Sequence, residues 1–298
     1  MKNLIMQARY TLLSWLNQTK NNSGSRRTYS KKARYIKHSL NPDSDITVLI
    51  NVWKRDHLTE QIRAIEMQSC VPREIWILQC GNHVDIGPAL KKFPFLHVIS
   101  SSVNLKYFGR FSLALFVQTD FLFVVDDDVI PGRDWLANCH DLCNRERAVV
   151  ASAGRIIPAG DFQPESLKNI GHHFIGDVES KYSFNFCEAD TKVDFGCNSW
   201  FLRTSWIRDF WSLSPYTLET GEDIHLAASM SILNGIDTIV PRQIDEYSTG
   251  NLKKAYGQDD HASWKRHNFL PLREEILRYF ISERRWLPIQ WHRIEKTP

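Results

Sequence analysis

A chain of 298 residues, 43% of them apolar and ten of them tryptophan, can bury the core of one large α/β domain, with or without an appendage. Its formal net charge of +3 is unevenly spread: residues 1–45 hold nine Lys/Arg against two acids, a net +7, which leaves the remainder at −4. A nucleic-acid binder would line its folded domain with basic residues, so no nucleic-acid partner is expected.

The first 20 residues put Ile5, Ala8, Leu12, Trp15 and Leu16 on one helical face, and a polar, basic stretch follows, with Arg26-Arg27 and Lys31-Lys32. This pattern fits either an amphipathic helix on an anionic membrane surface or a helix packed on the domain or on a second subunit, with a basic linker. Gln7 and Arg9 interrupt the apolar run and no small-residue cleavage site follows, which argues against a secretory signal. No segment approaches a membrane span. The cysteines (Cys70, Cys80, Cys139, Cys143, Cys187, Cys197) form no CxxC pair, and Cys139 and Cys143 stand at helical spacing without zinc partners. Buried, reduced thiols are therefore expected in a cytoplasmic protein, peripheral at the inner face of the plasma membrane if the amino terminus binds lipid.

From residue 46 the pattern alternates between strand and helix. Residues 46–53 read as a buried strand, and Leu58, Ile62, Ile65 and Ser69 fall at helix spacing before Pro72. Strands are expected at 74–80 and 96–101. Phe108, Phe111 and Leu115 mark a helix that starts near Gly109-Arg110. That helix feeds the apolar run 121–125, long enough for a strand buried on both faces. Residues 148–154, 193–202 and 238–240 have strand character, and 222–233 is helical. Residues 157–190 read as a loop or hairpin inserted over the site. Leu272, Ile276 and Phe280 share one face of a closing helix. The alternation predicts an α/β fold: a Rossmann-like α/β/α sandwich with a mostly parallel central sheet and its site at the strands' carboxyl ends. The expected divisions are 1–45, 46–270 and 271–298.

The run 121–125 ends in Asp126-Asp127-Asp128 and then Pro131-Gly132. Three acids stacked at the end of a buried strand repel one another unless a cation offsets them. Oxygen-only ligands suit Mg²⁺ or Mn²⁺, which would in turn hold substrate phosphates; the plain alternative is a solvated acidic turn. A second acidic pair, Glu222-Asp223, opens the late helix. Acids there gain from the helix dipole and can cap free N–H groups, so the pair alone would be an ordinary helix start. Beside the three-Asp run it reads as the other half of a site.

In this order, the polar end of the first strand, the three-Asp run and Gly221-Glu222-Asp223-Ile224 resemble nucleotide-sugar-dependent glycosyltransferases of the GT-A fold. Within that fold, Val125-Asp126-Asp127-Asp128, Glu222-Asp223-Ile224 and Asp260-His261 look most like the carboxyl-terminal domain of the exostosin family. Bacterial family 2-like polysaccharide glycosyltransferases are close runners. The resemblance implies metal ligation by Asp128 and Asp126, with Asp126 also facing the ribose or donor sugar, Asp127 assisting and His261 as a late ligand. It implies Asp223 as the general base or as a carboxylate beside donor and acceptor, with Glu222 as its acceptor-binding neighbour; the sequence leaves retention or inversion open.

Donor contacts are expected from Asn51, Trp53 and Arg55, from Gln79, Gly81 and Asn82, and from Asn104 through Arg110. Gln79-Cys80 stands where exostosin-like sequences tend to carry Asn-Cys. Lys253, Lys254 and Arg266 are expected to hold the leaving diphosphate from a closing loop, and His172-His173 to be acceptor-side or structural. Trp200, Trp206 and Trp211 suit either core or a sugar platform. The implied activity is metal-dependent transfer of a sugar from a nucleoside diphosphate, UDP by expectation, to a glycan or lipid-linked oligosaccharide in polysaccharide biosynthesis. A sugar-nucleotide pyrophosphorylase would need a glycine-rich loop after the first strand, and Asn51-Val52-Trp53-Lys54-Arg55 has no glycine. A non-catalytic glycan- or cation-binding domain fits less well with both acidic motifs intact.

Overall fold

The computed structural model describes residues 40–158, 174–176 and 182–290, all within one unit, Ser39–Pro298. Among them nine strands join into one sheet: β1 (Ile46–Val52), β2 (Glu74–Cys80), β3 (His97–Ser101), β4 (Phe121–Val125), β5 (Val149–Arg155), β6 (Phe174–Ile175), β7 (Thr191–Val193), β8 (Phe195–Arg203) and β9 (Thr238–Val240). The order is β3-β2-β1-β4-β8-β5-β9-β7, with β6 beside β5. Six of the nine strands run one way, and β6, β7 and β8 run against them. The reversal of β8 matters for the site. Its first residues, Phe195 to Asn198, lie at the same sheet end as the carboxyl ends of β4 and β5, and the Asp126 N–H donates to the Asn198 carbonyl at 3.1 Å.

Each of these strands follows from its side chains. β4 is buried along its whole length, which requires a layer on both faces. Its neighbour β8 shows both layers, because successive residues of a strand point to opposite faces. Trp200 meets Phe111 at 5.8 Å on one side, and Phe201 meets His140 at 6.4 Å on the other. Phe111 belongs to the short helix Phe108–Leu113, and His140 to the long helix Trp135–Glu146. The seven α-helices described are, in chain order, α1 (Leu58–Glu66), α2 (Gly87–Lys92), α3 (Phe108–Leu113), α4 (Trp135–Glu146), α5 (Ile207–Phe210), α6 (Glu222–Asn234) and α7 (Phe269–Arg278). The expected α/β/α architecture is therefore what the chain adopts.

Helix α6 is the central element of the site layer. Every residue from Glu222 to Met230 is buried, as expected for a helix that is apolar on most sides. It starts at Gly221, whose φ of +83° suits glycine and whose added Cβ would lie 2.4 Å from Ile276 Cδ1. Any other residue would push α7 away from α6. Ile276, Leu277 and Phe280 pack with Ile224, Ala227 and Phe195, so residues beyond 270 share a hydrophobic cluster with β8 and α6.

Helices α2, α4 and α5 go beyond the sequence-based elements, although the Cys139–Cys143 spacing marks α4's buried face, which also carries Trp135, Leu136 and Leu142. None of the six cysteines is in a disulfide, and burial pushes Cys143 up to about 12. No helix among the described residues is long and apolar enough to cross a membrane. The amino-terminal helix and basic stretch, His172-His173 and most of the 157–190 segment lie outside the described residues.

Candidate active site

A cavity of about 580 Å³ opens at the carboxyl ends of β1, β4 and β5, against the amino-terminal ends of α6 and α7. Asn51, Trp53, Arg55, Asn104, Arg110, Asp126, Asp127, Asp128, Glu222, Asp223 and His261 all line it. Gln79 does not. Its amide donates to the Val84 carbonyl at 2.9 Å and its oxygen accepts from Ser100, which ties down the loop after β2. Lys254 and Arg266 line the cavity and Lys253 does not. Trp200 is buried at the cavity wall, whereas Trp206 and Trp211 serve the core.

Each acid of the site is held by an arginine. Arg55, from the loop after β1, bonds Asp127 Oδ1 at 2.8 Å and approaches Asp128 Oδ2 at 3.1 Å. Its other edge grips both oxygens of Asp259, at 2.7 and 2.8 Å. Arg110, on α3 and only 2% exposed, bridges the two acidic motifs: one nitrogen donates to Asp126 and another to Glu222 Oε1 at 2.6 Å. Its guanidinium also lies over the Trp200 ring, 4.8 Å from the centroid. Arg273, on α7, holds Asp223 through two bonds of 2.8 Å, a fork-on-fork pair. The sequence reading missed Arg273 and Asp259. Arg273 stands off the apolar face of its helix, and Asp259 precedes the Asp260-His261 pair that drew attention.

Five carboxylates (Asp126, Asp127, Asp128, Glu222, Asp259) thus face two guanidinium groups (Arg55, Arg110), an excess of three acids. The strain shows in the proton affinity of Asp128 and Glu222. Burial, opposed by Arg55 and reinforced by Asp127 and Asp259, pushes Asp128 up to about 6. Burial and then Asp223 raise Glu222. A further polar group waits for a partner: the buried Asn51 Oδ1 has no hydrogen bond among the described residues.

These features fit a divalent ion anchored by one or two carboxylates. No group of three metal-binding side chains is gathered among the described residues. Arg110 holds Asp126, Arg55 reaches Asp128, and the His261 ring packs edge-on to Trp53 at 6.5 Å.

The segment 253–268 straps the cavity mouth. It is tied by Arg55–Asp259, by Tyr256 Oη donating to Glu60 at 2.9 Å, by the His57–Tyr256 stack at 4.0 Å and by a 2.5 Å bond between the Tyr107 and Ser263 hydroxyls. Arg266 lies over the Trp53 ring at 5.2 Å.

No family model matches the sequence, and no curated protein matches it. Among solved structures the chain is similar to S. aureus TarS 1-349, with 15% identity and a TM-score of 0.48 over 68% of this chain and 60% of that one. It is also similar to the mannosyltransferase PcManGT from Pyrobaculum calidifontis in complex with GDP-Man and Mn²⁺, with 14% identity and a TM-score of 0.45 over 82% of this chain and 67% of that one. The chain thus spans less than two thirds of the TarS structure.

Proposed function

We propose that this chain is a divalent-cation-dependent glycosyltransferase that moves a sugar from a nucleoside diphosphate to a hydroxyl of a glycan or lipid-linked acceptor. The observation that carries the reading is the gathering of Asp126, Asp127 and Asp128 from the end of β4 with Glu222 of α6, four acids on two arginines, inside a cavity of about 580 Å³. That volume suits a nucleotide sugar, and a stability-only role would not leave buried carboxylates under-compensated. The order of acidic motifs and their GT-A resemblance agree with it.

Asp128 and Asp126 would hold Mg²⁺ or Mn²⁺, which when bound supplies neutralising charge for the leaving diphosphate. Trp53, Arg55 and Asn51 line the end suited to the nucleotide, and Lys254 and Arg266 on the strap can pair with phosphate oxygens. In the transfer, the acceptor oxygen bonds to the anomeric carbon as the carbon–oxygen bond to the diphosphate breaks. The hydroxyl proton must go to a base.

Here the geometry favours a revision of the sequence-based roles. Both oxygens of Asp223 are engaged by Arg273, whereas Glu222 spends only Oε1 on Arg110, and burial raises its proton affinity. We assign proton acceptance to Glu222 and acceptor orientation to the Asp223–Arg273 pair. The proposed setting is the cytoplasm, with residues 1–37 at an anionic membrane surface.

The test is hydrolysis of a panel of UDP-, GDP- and dTDP-sugars by the full chain with Mn²⁺ and with chelator. Release of one nucleoside diphosphate above background, abolished by chelator and by Asp128→Ala, is expected. No release from any donor, together with nucleotide affinity indifferent to Mn²⁺ by calorimetry, would refute the reading.

A further inference from the structure

The acidic end of the cavity has a basic counterpart. Arg155 is the last residue of β5, in register with Phe195 of β8 on one side and Phe174 of β6 on the other. Side chains directly opposite one another in a sheet share a face, and all three line the cavity. The Arg155 guanidinium lies over the Phe174 ring, 4.2 Å from its centroid. Arg273 lies over the Phe195 ring at 5.3 Å, so the two arginines flank one aromatic wall.

They do not share acids equally. Arg273 takes both oxygens of Asp223. Arg155 makes no ion pair among the described residues; it bonds the Cys197 side chain and feels Asp223 only at a distance. Two guanidinium groups therefore stand against one carboxylate, where the other end of the cavity sets Asp126, Asp127, Asp128 and Glu222 against Arg55 and Arg110. Burial and the charge of Arg273 lower the proton affinity of Arg155, which is the mark of a cation poorly served by its surroundings. An arginine held this way, with most of its fork of donors unspent, is suited to an anion brought in by a ligand.

The position says which ligand. In the sheet, β5 is separated from β4 by β8 and from β1 by two strands. At roughly 4.8 Å per strand, Arg155 sits about 10 Å from the end of β4 and about 14 Å from that of β1. Glu222 and Asp223 line the cavity beside it, which is the acceptor side of the proposed reaction.

We infer that Arg155, with Arg273, forms an anion subsite that selects an acceptor carrying a phosphate ester or a carboxylate near the hydroxyl that is glycosylated. The inference rests on the transferase reading for the word acceptor, but not for the anion site itself.

The experiment is calorimetry on the full chain in chelator, without donor, using three probes: glycerol 1-phosphate, methyl glucuronide and methyl glucoside. At least one anionic probe should bind about tenfold or more tightly than the neutral glucoside, as expected for a charge-assisted pair. Tighter binding of the phosphate identifies a phosphorylated acceptor, and tighter binding of the glucuronide a uronic acid. Arg155→Gln should abolish the preference and Arg155→Lys should restore part of it, with melting curves confirming the fold of each. Should Arg155→Gln fail to fold, the wild-type comparison and Arg155→Lys still decide. Equal binding of anionic and neutral probes by the wild type overturns the inference. So does an anion preference that survives Arg155→Gln intact, which would locate it at Lys254 and Arg266. Donor hydrolysis without an Arg155-dependent preference refutes the subsite and leaves the transferase reading standing; the converse result refutes the transferase reading alone.

Discussion

Replacing Arg55 by methionine keeps most of its volume and removes its charge, which tests whether the acidic end of the cavity is under-compensated. The side chain is 12% exposed, and the partners it would abandon, Asp127 and Asp128, are 10% and 18% exposed. Removing one partner of a buried ion pair costs about 3–5 kcal/mol, because the remaining charge is left unpaired. The contact with Asp259, which is 36% exposed, adds at most about 1 kcal/mol. A net loss of about 3 kcal/mol is expected in chelator, or roughly 6–12 °C in Tm for a domain of this size.

Mn²⁺ should then act differently on the two proteins. An ion at 100 times its Kd stabilises the native state by about 2.7 kcal/mol. In Arg55→Met that gain should recover most of the lost Tm, since the vacated carboxylates become free to bind the ion. In the wild type the guanidinium already offsets part of the charge, so the Mn²⁺ shift should be smaller. Tryptophan-fluorescence melts of both proteins in chelator and in millimolar Mn²⁺ give the four values needed. A variant within about 2 °C of wild type in chelator, or an equal Mn²⁺ shift in both, would refute the charge argument on which the proposed function stands.

The two acids of α6 should separate. Glu222→Gln is expected to lower kcat by ~10²–10⁴ with donor affinity kept, whereas Asp223→Asn should raise the acceptor KM and cost about 3 kcal/mol of stability by leaving buried Arg273 unpaired; the opposite pattern in steady-state kinetics and melts would return the base to Asp223. Burial holds His225 down to about 4, where it donates to the Phe210 carbonyl at 2.7 Å. The unfolded chain therefore binds the extra proton first, and about 3 kcal/mol of stability present above pH 6.5 should be lost as pH falls toward 4. Urea titrations across that window should show a shallower slope for His225→Gln, and equal slopes would count against it. Deleting residues 1–37 should leave donor hydrolysis intact and abolish salt-sensitive co-sedimentation with anionic vesicles; loss of a salt-independent dimer instead would favour the packing role.

Most of the sheet is legible because its strands are short apolar runs between turn signals. Residues 74–80 and 238–240 read as strands and are strands. The direction of β8 is not legible, since an apolar run looks the same whichever way it enters the sheet; its antiparallel pairing with β4 appears only in three dimensions. Five acids of the site were legible because they are neighbours in sequence, 126–128 and 222–223. Their pairings with arginine were not. Arg55 meets Asp259 across 204 residues, Arg110 meets Glu222 across 112 and Arg273 meets Asp223 across 50. No local pattern encodes such pairs. Without them the three-Asp run reads as a free metal chelate, when all three of its members are already shared with guanidinium groups.

One further dependence of Asp128 is visible only in three dimensions. The strap packs so closely on this carboxylate that a Cβ built on Gly257 would lie 3.0 Å from Asp128 Oδ2. Gly257 does not have a positive φ, so alanine is permitted by the backbone and only the contact is perturbed. Either the strap lifts, loosening Arg55–Asp259, or the Asp128 carboxylate turns from its place. Overpacking of this kind costs about 1–3 kcal/mol where the surroundings are rigid. A strap can give, so the lower figure is expected, and it should fall on ligand binding more than on folding. Gly257→Ala should therefore weaken Mn²⁺-dependent nucleoside diphosphate binding by about fivefold in calorimetry, with Tm in chelator moved by less than about 3 °C. Unchanged affinity would mean that the strap's seat on Asp128 has no part in holding the donor; a large drop in Tm would make Gly257 a residue of the fold and not of the site.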